Sequence, residues 1–185
     1  RDVYPRLLSR EAKAGRLEFI REMKETIRLL GNHPSIAAWV IFNEGWGQFQ
    51  TEDMTRIVRR LDPNRLIDQA SGWFDQGGGD FSSLHNYFFK LFIRPERERA
   101  SVLSEFGGYS YRELGHCAKE KLYGYGICKN KKDLEKRFLE RWQGVRNLIP
   151  QGLSASIYTQ WTDVEEEVNG VFTYDREVRK IEPFQ

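Results

Sequence analysis

At 185 residues, with 39% hydrophobic and 30% charged residues, the chain is long enough for one substantial domain with a core of its own. A formal net charge of +2 gives no general attraction to nucleic acid or to an anionic membrane, and no apolar run approaches the ~20 residues that span a bilayer. Aromatic residues reach 14%, and rings that find no room in a core often line a cleft for flat or ring-shaped ligands.

Residue 1 is Arg, with no initiator Met and no signal-peptide pattern, so the natural start is expected to lie elsewhere and no compartment is assigned. Cys117 and Cys128 are separated by ten residues with no second pair, which is neither a metal spacing nor a disulfide framework. Two unlinked thiols are expected, with one local bridge as the other outcome.

In chain order, residues 18–30 carry Phe19, Ile20, Met23, Ile27 and Leu30 at spacings of three and four, which predicts an amphipathic helix stopped by Gly31. A turn cluster, Asn-His-Pro-Ser, then opens the stretch HPSIAAWVIFNEGWG at residues 33–47. Its apolar run 36–42 reads as a buried strand that stops abruptly at Asn43-Glu44-Gly45. α/β barrels keep their chemistry at the C-terminal tips of such strands, which makes Glu44 a catalytic candidate. An ordinary strand leaving its sheet through a solvated Glu fits the same pattern.

Residues 51–61 predict a second helix with Met54, Ile57, Val58 and Leu61 on one side. Thr51 serves as its cap, Glu52 and Asp53 suit its first turn, and Asp62-Pro63-Asn64 ends it. Residues 66–70 are a third apolar segment, followed by Ser71-Gly72-Trp73 and a loop holding Gly77-Gly78-Gly79. No helix opens after these glycines and no Lys-Ser/Thr follows, so the reading is a flexible loop and not a phosphate cradle.

A short strand at 81–84 runs into His85-Asn86-Tyr87, and another at 101–106 stops on Glu105 before Gly107-Gly108, repeating the pattern of Glu44. The Lys-rich stretch 113–132 is interleaved with Tyr123 and Tyr125, but Glu113 and Glu120 dilute it, and a solvated excursion fits better than a nucleic-acid surface. Residues 133–148 predict a helix capped by Asp133 and carrying Leu134, Phe138, Leu139, Trp142, Val145 and Leu148. Residues 153–161 are strand-like and end in Thr162-Asp163. Residues 165–167 lack the oxygen spacing of a calcium loop, and Asn169-Gly170 reads as a tight turn before residues 171–174. Alternating helices and strands, with strands that finish in polar residues at one end, argue for an α/β fold of parallel units and for a barrel over an open sheet.

Four motifs carry a resemblance: HPSIAAWVIFNEGWG around Glu44, HNY at 85–87, LSEFGGY around Glu105, and YTQWTDVEEEVNGVFTYDR at 158–176. With them, the chain from residue 16 onward resembles the second half of the catalytic (β/α)8 domain of family 2 glycoside hydrolases, the group of β-galactosidases, β-glucuronidases and β-mannosidases. The resemblance implies a partial (β/α)8 TIM barrel, roughly strands 4 to 8, in one domain over 1–185. It implies Glu44 as acid/base at the end of barrel strand four and Glu105 as nucleophile at the end of strand seven. Asn43 would hydrogen-bond the sugar 2-OH, Tyr87 would contact the nucleophile, and His85 would occupy a sugar-contacting position. Trp73 and Trp161 would lie on loops facing the site, where a ring can stack on a pyranose. Tyr87, His85, Trp73 and Trp161 also fit as packed rim residues.

The implied function is retaining hydrolysis of terminal β-glycosides, β-galactosides foremost, with a β-linked sugar as partner, no metal, no cofactor, no nucleic acid and no membrane. In that chemistry the two carboxyl groups stand ~5 to 5.5 Å apart, one attacking the anomeric carbon while the other protonates the departing oxygen. Glu44 then starts protonated and Glu105 ionised; once the covalent intermediate forms, Glu44 acts as base towards water.

The sequence departs from the family in places. Many members carry Trp where Thr159 falls, which leaves the sugar open. Barrel strands one to three and the preceding β-sandwich domains have no counterpart before Arg1, and the tail stops at Gln185. Unpaired strand edges of such a remnant lead to an expectation of a homo-oligomer, of pairing with the missing half of the barrel, or of a longer polypeptide. The alternative to an enzyme is a catalytically inactive half-barrel fragment or pseudo-enzyme acting only in carbohydrate binding or self-association.

Overall fold

The computed structural model describes residues 8–182; the expectations at Arg1 and Gln185 lie outside them. The described residues form two compact units. Unit 1 holds the chain up to His85 together with Arg94–Val102, and unit 2 holds Asn86–Ile93 together with the chain from Leu103.

Unit 1 opens with helix α1, Lys13–Leu30. It begins before the predicted residue 18 because Lys13, Ala14, Arg16 and Leu17 are good helix formers that add no apolar period. The Gly31 amide closes it on the Ile27 carbonyl at 2.8 Å. Strand β1, Ala38–Asn43, starts later than predicted, since the Ile36 amide turns back to the His33 carbonyl at 3.2 Å. Helix α2, Thr51–Leu61, has the predicted bounds. Its cap is Gln50 in a left-handed conformation with no side-chain hydrogen bond, and Thr51 is the first helical residue, not the cap. Strand β2, Leu66–Ser71, lies parallel to β1, from Ala38 beside Leu66 to Asn43 beside Ser71. A helix crossing between parallel strands is the βα unit that the alternation predicts.

The core of unit 1 gathers Phe19, Phe42, Phe49 and Met54 on one side and Ile27, Val58 and Ile67 on the other. Burying each such side chain contributes about 1.5–3 kcal/mol, and the Phe19 and Phe42 rings stack with centroids 5.2 Å apart. The glycine loop after β2 is tied down: Gly77 donates to Asp75 Oδ1 and Gly78 to Gln69 Oε1 at 2.9 and 3.1 Å. Arg99 adds two 2.7 Å bonds to the Asp75 carboxylate. Strand β3, Phe81–Asn86, runs beyond the predicted end, and the Ala100 amide that opens strand β4, Ala100–Gly107, donates to the Asp80 carbonyl at 2.9 Å.

In unit 2 the remainder of β4 is followed in hydrogen-bonded order by β5, Leu153–Thr159. Helix α3, Lys131–Leu148, is capped by Asn130, whose side chain accepts from the Asp133 amide at 3.0 Å; Asp133 itself reaches back to the Lys129 amide at 3.1 Å. The predicted cap was therefore three residues too late: Asp133 is at the third helical position, where a carboxylate also suits the helix dipole. Leu134, Phe138, Cys128 and Ile181 form the core with Tyr109 and Tyr158 against it, and both cysteines are free thiols.

Residues 171–174 follow without a regular element. Phe172 makes single bridges to Thr162 and Arg179, and the turn falls at Glu165 and Glu166 between paired Val164 and Glu167. Gly170 serves close approach instead of a tight turn, since a Cβ there would lie 2.3 Å from the backbone of Thr162 and Asp163. Among the described residues no helix is long and apolar enough to cross a membrane.

Candidate active site

Glu44 directly follows β1 with φ 52°, a left-handed conformation uncommon outside Gly and Asn. Such strain persists where the surroundings over-determine it, and functional sites concentrate it. Here the Glu44 amide donates to the Ser71 carbonyl at 2.8 Å, fastening the turn to the end of β2. The side chain is mostly buried, and Oε1 lies 2.8 Å from His85 Nδ1. The ring of His85 is itself fully enclosed, with Nε2 2.9 Å from Ser71 Oγ. His85 thus belongs to a buried polar chain, with Glu44 on one nitrogen and Ser71 on the other.

That chain continues inward. Ser71 and Ser83 hydrogen-bond to Asp68, whose carboxyl is pushed up by burial against the opposing effect of those hydroxyls. Around Glu44, Asn43 is exposed at the tip of β1, and Trp73 and Phe74 are exposed on the following loop. Gln48, fully buried, holds that loop by donating to the Phe74 carbonyl at 3.3 Å. Gly45 lets Phe74 approach, as a Cβ there would lie 2.2 Å from its ring.

In unit 2, Glu105 stands near the end of β4, partly exposed, and accepts a hydrogen bond from the Tyr87 hydroxyl through Oε2. Burial first, and then the Glu105 carboxylate, push the Tyr87 phenol far above its ordinary value, so it remains a donor. Tyr125 stacks on Tyr87 with centroids 3.8 Å apart and planes 8° from parallel. Arg141 holds the Tyr87 backbone carbonyl at 2.9 Å and the Tyr109 hydroxyl at 2.7 Å. Trp161 lies beyond β5, 71% exposed, against Phe172. Also in this unit His116, Asp175 and Glu177 offer ligand atoms within 4.8 Å of one another; His116 Nδ1 lies 2.7 Å from Asp175 Oδ2, an ion pair when the imidazole is protonated.

Each unit therefore carries one of the two predicted carboxylates after or near the end of a strand, Glu44 with an imidazole and Glu105 with a phenol. Sequence reasoning missed Asp68, Ser71, Tyr125 and Arg141. The signal for Asp68 was present, a carboxylate directly after the apolar pair Leu66-Ile67 inside a strand; those for Tyr125 and Arg141 depend on contacts distant in sequence.

The sequence matches the glycosyl hydrolases family 2, TIM barrel domain, over residues 8–105, more than half of the chain. The chain belongs to this family. Its fold is accordingly α/β, a partial (β/α)8 TIM barrel, with β1 and β2 parallel as that fold requires. No curated protein matches. Among solved structures 52 chains match. The β-D-glucuronidase of Dictyoglomus thermophilum aligns at 17% identity and TM-score 0.60, covering 88% of this chain and 33% of that one. The β-glucuronidase of Parabacteroides merdae aligns at 15% and 0.65, covering 92% and 26%. A Ruminococcus gnavus β-glucuronidase in complex with uronic deoxynojirimycin aligns at 18% and 0.58, covering 92% and 36%. The family 2 chain thus spans about a third of the length of these proteins, and at such identities the likeness is one of fold.

Proposed function

We propose that the protein carrying this chain is a retaining hydrolase of β-linked sugars, with Glu44 as acid/base and Glu105 as nucleophile. The observation that supports this reading most is the family match, which begins ahead of the strand leading into Glu44 and ends on Glu105. The contrasting partners agree with a division of labour. A carboxyl facing an imidazole has a partner that can hold its proton in place by hydrogen bonding, whereas a carboxylate receiving a phenol hydrogen bond is oriented for attack.

In this reading the two carboxyl groups meet at ~5 to 5.5 Å across the anomeric carbon. Glu105 attacks that carbon while the Glu44 proton passes to the departing oxygen, and water then cleaves the glycosyl-enzyme with Glu44 as base. Asn43 hydrogen-bonds the sugar 2-OH, and exposed Trp73 and Trp161 offer faces for stacking on the pyranose. β-Galactosides are the first substrate class we assign; β-glucuronides are the second, supported by the names of the similar structures. A carbohydrate-binding or self-associating fragment without turnover remains the contrary reading, and association with a second copy or with further barrel strands would cover the open strand edges.

The test is hydrolysis of a panel of aryl β-glycosides, including β-galactoside and β-glucuronide. Turnover is expected, with Glu105→Gln, which replaces the attacking carboxylate by a poor nucleophile, abolishing it. Release of the aryl group unaffected by Glu105→Gln would overturn the assignment.

A further inference from the structure

The buried polar chain of unit 1 has a direction, and the direction bears on Glu44. At its inner end Asp68 is 3% exposed in the middle of β2. Its Oδ1 has no hydrogen-bond partner among the described residues, the Ser71 and Ser83 hydroxyls bear on its carboxyl, and Ser71 Oγ lies 3.5 Å from Ser83 Oγ. Ser71 Oγ is then 2.9 Å from His85 Nε2, and His85 Nδ1 is 2.8 Å from Glu44 Oε1. Gly72 makes the enclosure of the ring possible: its φ is 86°, and a Cβ there would lie 2.4 Å from His85 Cγ.

A hydroxyl has one proton to give, and a neutral imidazole carries one N–H. As a carboxylate, the form the two hydroxyls favour against the upward push of burial, Asp68 can only accept, so a Ser71 proton directed at it leaves a lone pair for His85. Nε2 must then carry the imidazole proton, which leaves Nδ1 as an acceptor. With the ring neutral, the 2.8 Å contact at the outer end takes its proton from the Glu44 carboxyl; an imidazolium facing a Glu44 carboxylate is the other way to make it, and it carries a proton on Nδ1.

We propose that Asp68, acting through Ser71, fixes His85 as the Nε2–H tautomer, so that His85 Nδ1 accepts from a protonated Glu44 and keeps the acid/base loaded with its proton. This rests on the assignment of Glu44 as acid/base. In the first step the Glu44 Oε1–H bond breaks, its electron pair stays on the carboxylate, and the proton goes to the glycosidic oxygen as the alcohol leaves with the C–O bonding pair. Nδ1 then presents a lone pair to a carboxylate, an unfavourable contact that is relieved when Glu44 takes a proton from the attacking water. Asp68 and Ser71 are thus positioning residues. The charged groups bearing on the imidazole within unit 1 are Glu44 and Asp68, with Asp75 acting on Asp68 from the glycine loop; Glu105 joins them in the proposed reaction geometry.

The tautomer is read directly by proton–nitrogen correlation spectra of the protein labelled at its 3 histidines, with His85→Gln for assignment. The expected result is Nε2–H with an unprotonated Nδ1, and a drift towards Nδ1–H in Ser71→Ala and Asp68→Asn. Nδ1–H in the unaltered protein would overturn the relay while leaving the functional reading intact. The catalytic use is read from kcat/KM on aryl glycosides of graded leaving-group acidity. Asp68→Asn should lose roughly tenfold to a hundredfold on poor leaving groups, a share of the ~10²–10⁴ that general acid catalysis supplies. It should lose almost nothing on a 2,4-dinitrophenyl glycoside, which departs without protonation. A uniform loss across the series would overturn the role in loading Glu44. Failure of the unaltered protein to turn over any glycoside would instead sink the assignment of Glu44, and with it the catalytic half of this proposal, whatever the tautomer.

Discussion

Asp68 in unit 1 and Asp163 in unit 2 are buried to a similar degree, and burial raises both above the ordinary carboxylate range. Each also leaves one oxygen, Asp68 Oδ1 and Asp163 Oδ2, without a partner. What differs is how the buried charge ends. Asp163 meets Lys180 Nζ at 2.6 Å with both side chains enclosed, and that ammonium also donates to the Tyr111 and Val168 carbonyls at 3.1 and 2.9 Å. Asp68 has no ion pair with a Lys or Arg among the described residues, and it hands its polarity through a hydroxyl and an imidazole to the partly exposed Glu44. A closed ion pair with every ammonium proton used can only hold its own unit together, whereas an open-ended chain can pass the position of a proton outward.

The largest effect that would sharpen this contrast is on stability. Burial pulls the Lys180 ammonium down, with Asp163 opposing, so removing the cation leaves a carboxylate buried and uncompensated. Lys180→Met is expected to cost about 3–5 kcal/mol in chemical denaturation, and Lys180→Met with Asp163→Leu to recover much of it. The leaving-group dependence of turnover should not change in the single variant. A loss under about 1 kcal/mol would mean that the pair is worth no more than a surface contact, and the contrast would fail.

A smaller effect separates the two ends of the loop in unit 1. Gly72 and Gly77 both have positive φ, 86° and 79°, but only at Gly72 would a Cβ meet a neighbour, the His85 ring. Gly77→Ala should therefore cost about 1–2 kcal/mol for its backbone alone, and Gly72→Ala distinctly more, with loss of the Glu44-to-His85 contact seen in the histidine spectra. Equal costs would show that the ring can step aside, which the relay does not allow.

The parts of the molecule that were legible in the sequence are those carried by periodicity. The α2 bounds, the strand leading to Glu44 and the strand holding Glu105 all follow from apolar runs stopped by polar residues. The relay was not legible, because Asp68, Ser71 and His85 come from two strands and become partners only when packing fixes their faces. The turn expected at Asn169-Gly170 falls at Glu165 and Glu166 instead, because Gly170 is drawn into close backbone approach to Thr162 and Asp163. His85 is expected either to contact the sugar or to pack at the rim, and its enclosed ring lies against Glu44 and Ser71.

The smallest effect concerns the exposed counterpart of the buried pair, His116 with Asp175 at 2.7 Å in unit 2. The Asp175 carboxylate raises the imidazole above its ordinary 6.5, with Glu177 and Glu113 adding to it. Thr173 and then His116 hold Asp175 at about 2, below its ordinary 3.8. A raised histidine gives stability that is complete below pH 6.5 and is lost as pH rises through the folded value. The depressed aspartate gives stability that is complete above pH 3.8 and is lost as pH falls through about 2. Both contributions are complete only between those limits, so the thermal midpoint should be slightly higher at about pH 5.5 than at about pH 8.5, and His116→Asn should remove that difference. Because solvent screens this pair, added salt should shrink the effect while hardly touching Lys180 and Asp163. Equal salt sensitivity of the two pairs would mean that water reaches Lys180, and that burial is not what separates the locked aspartate from the one that leads to Glu44.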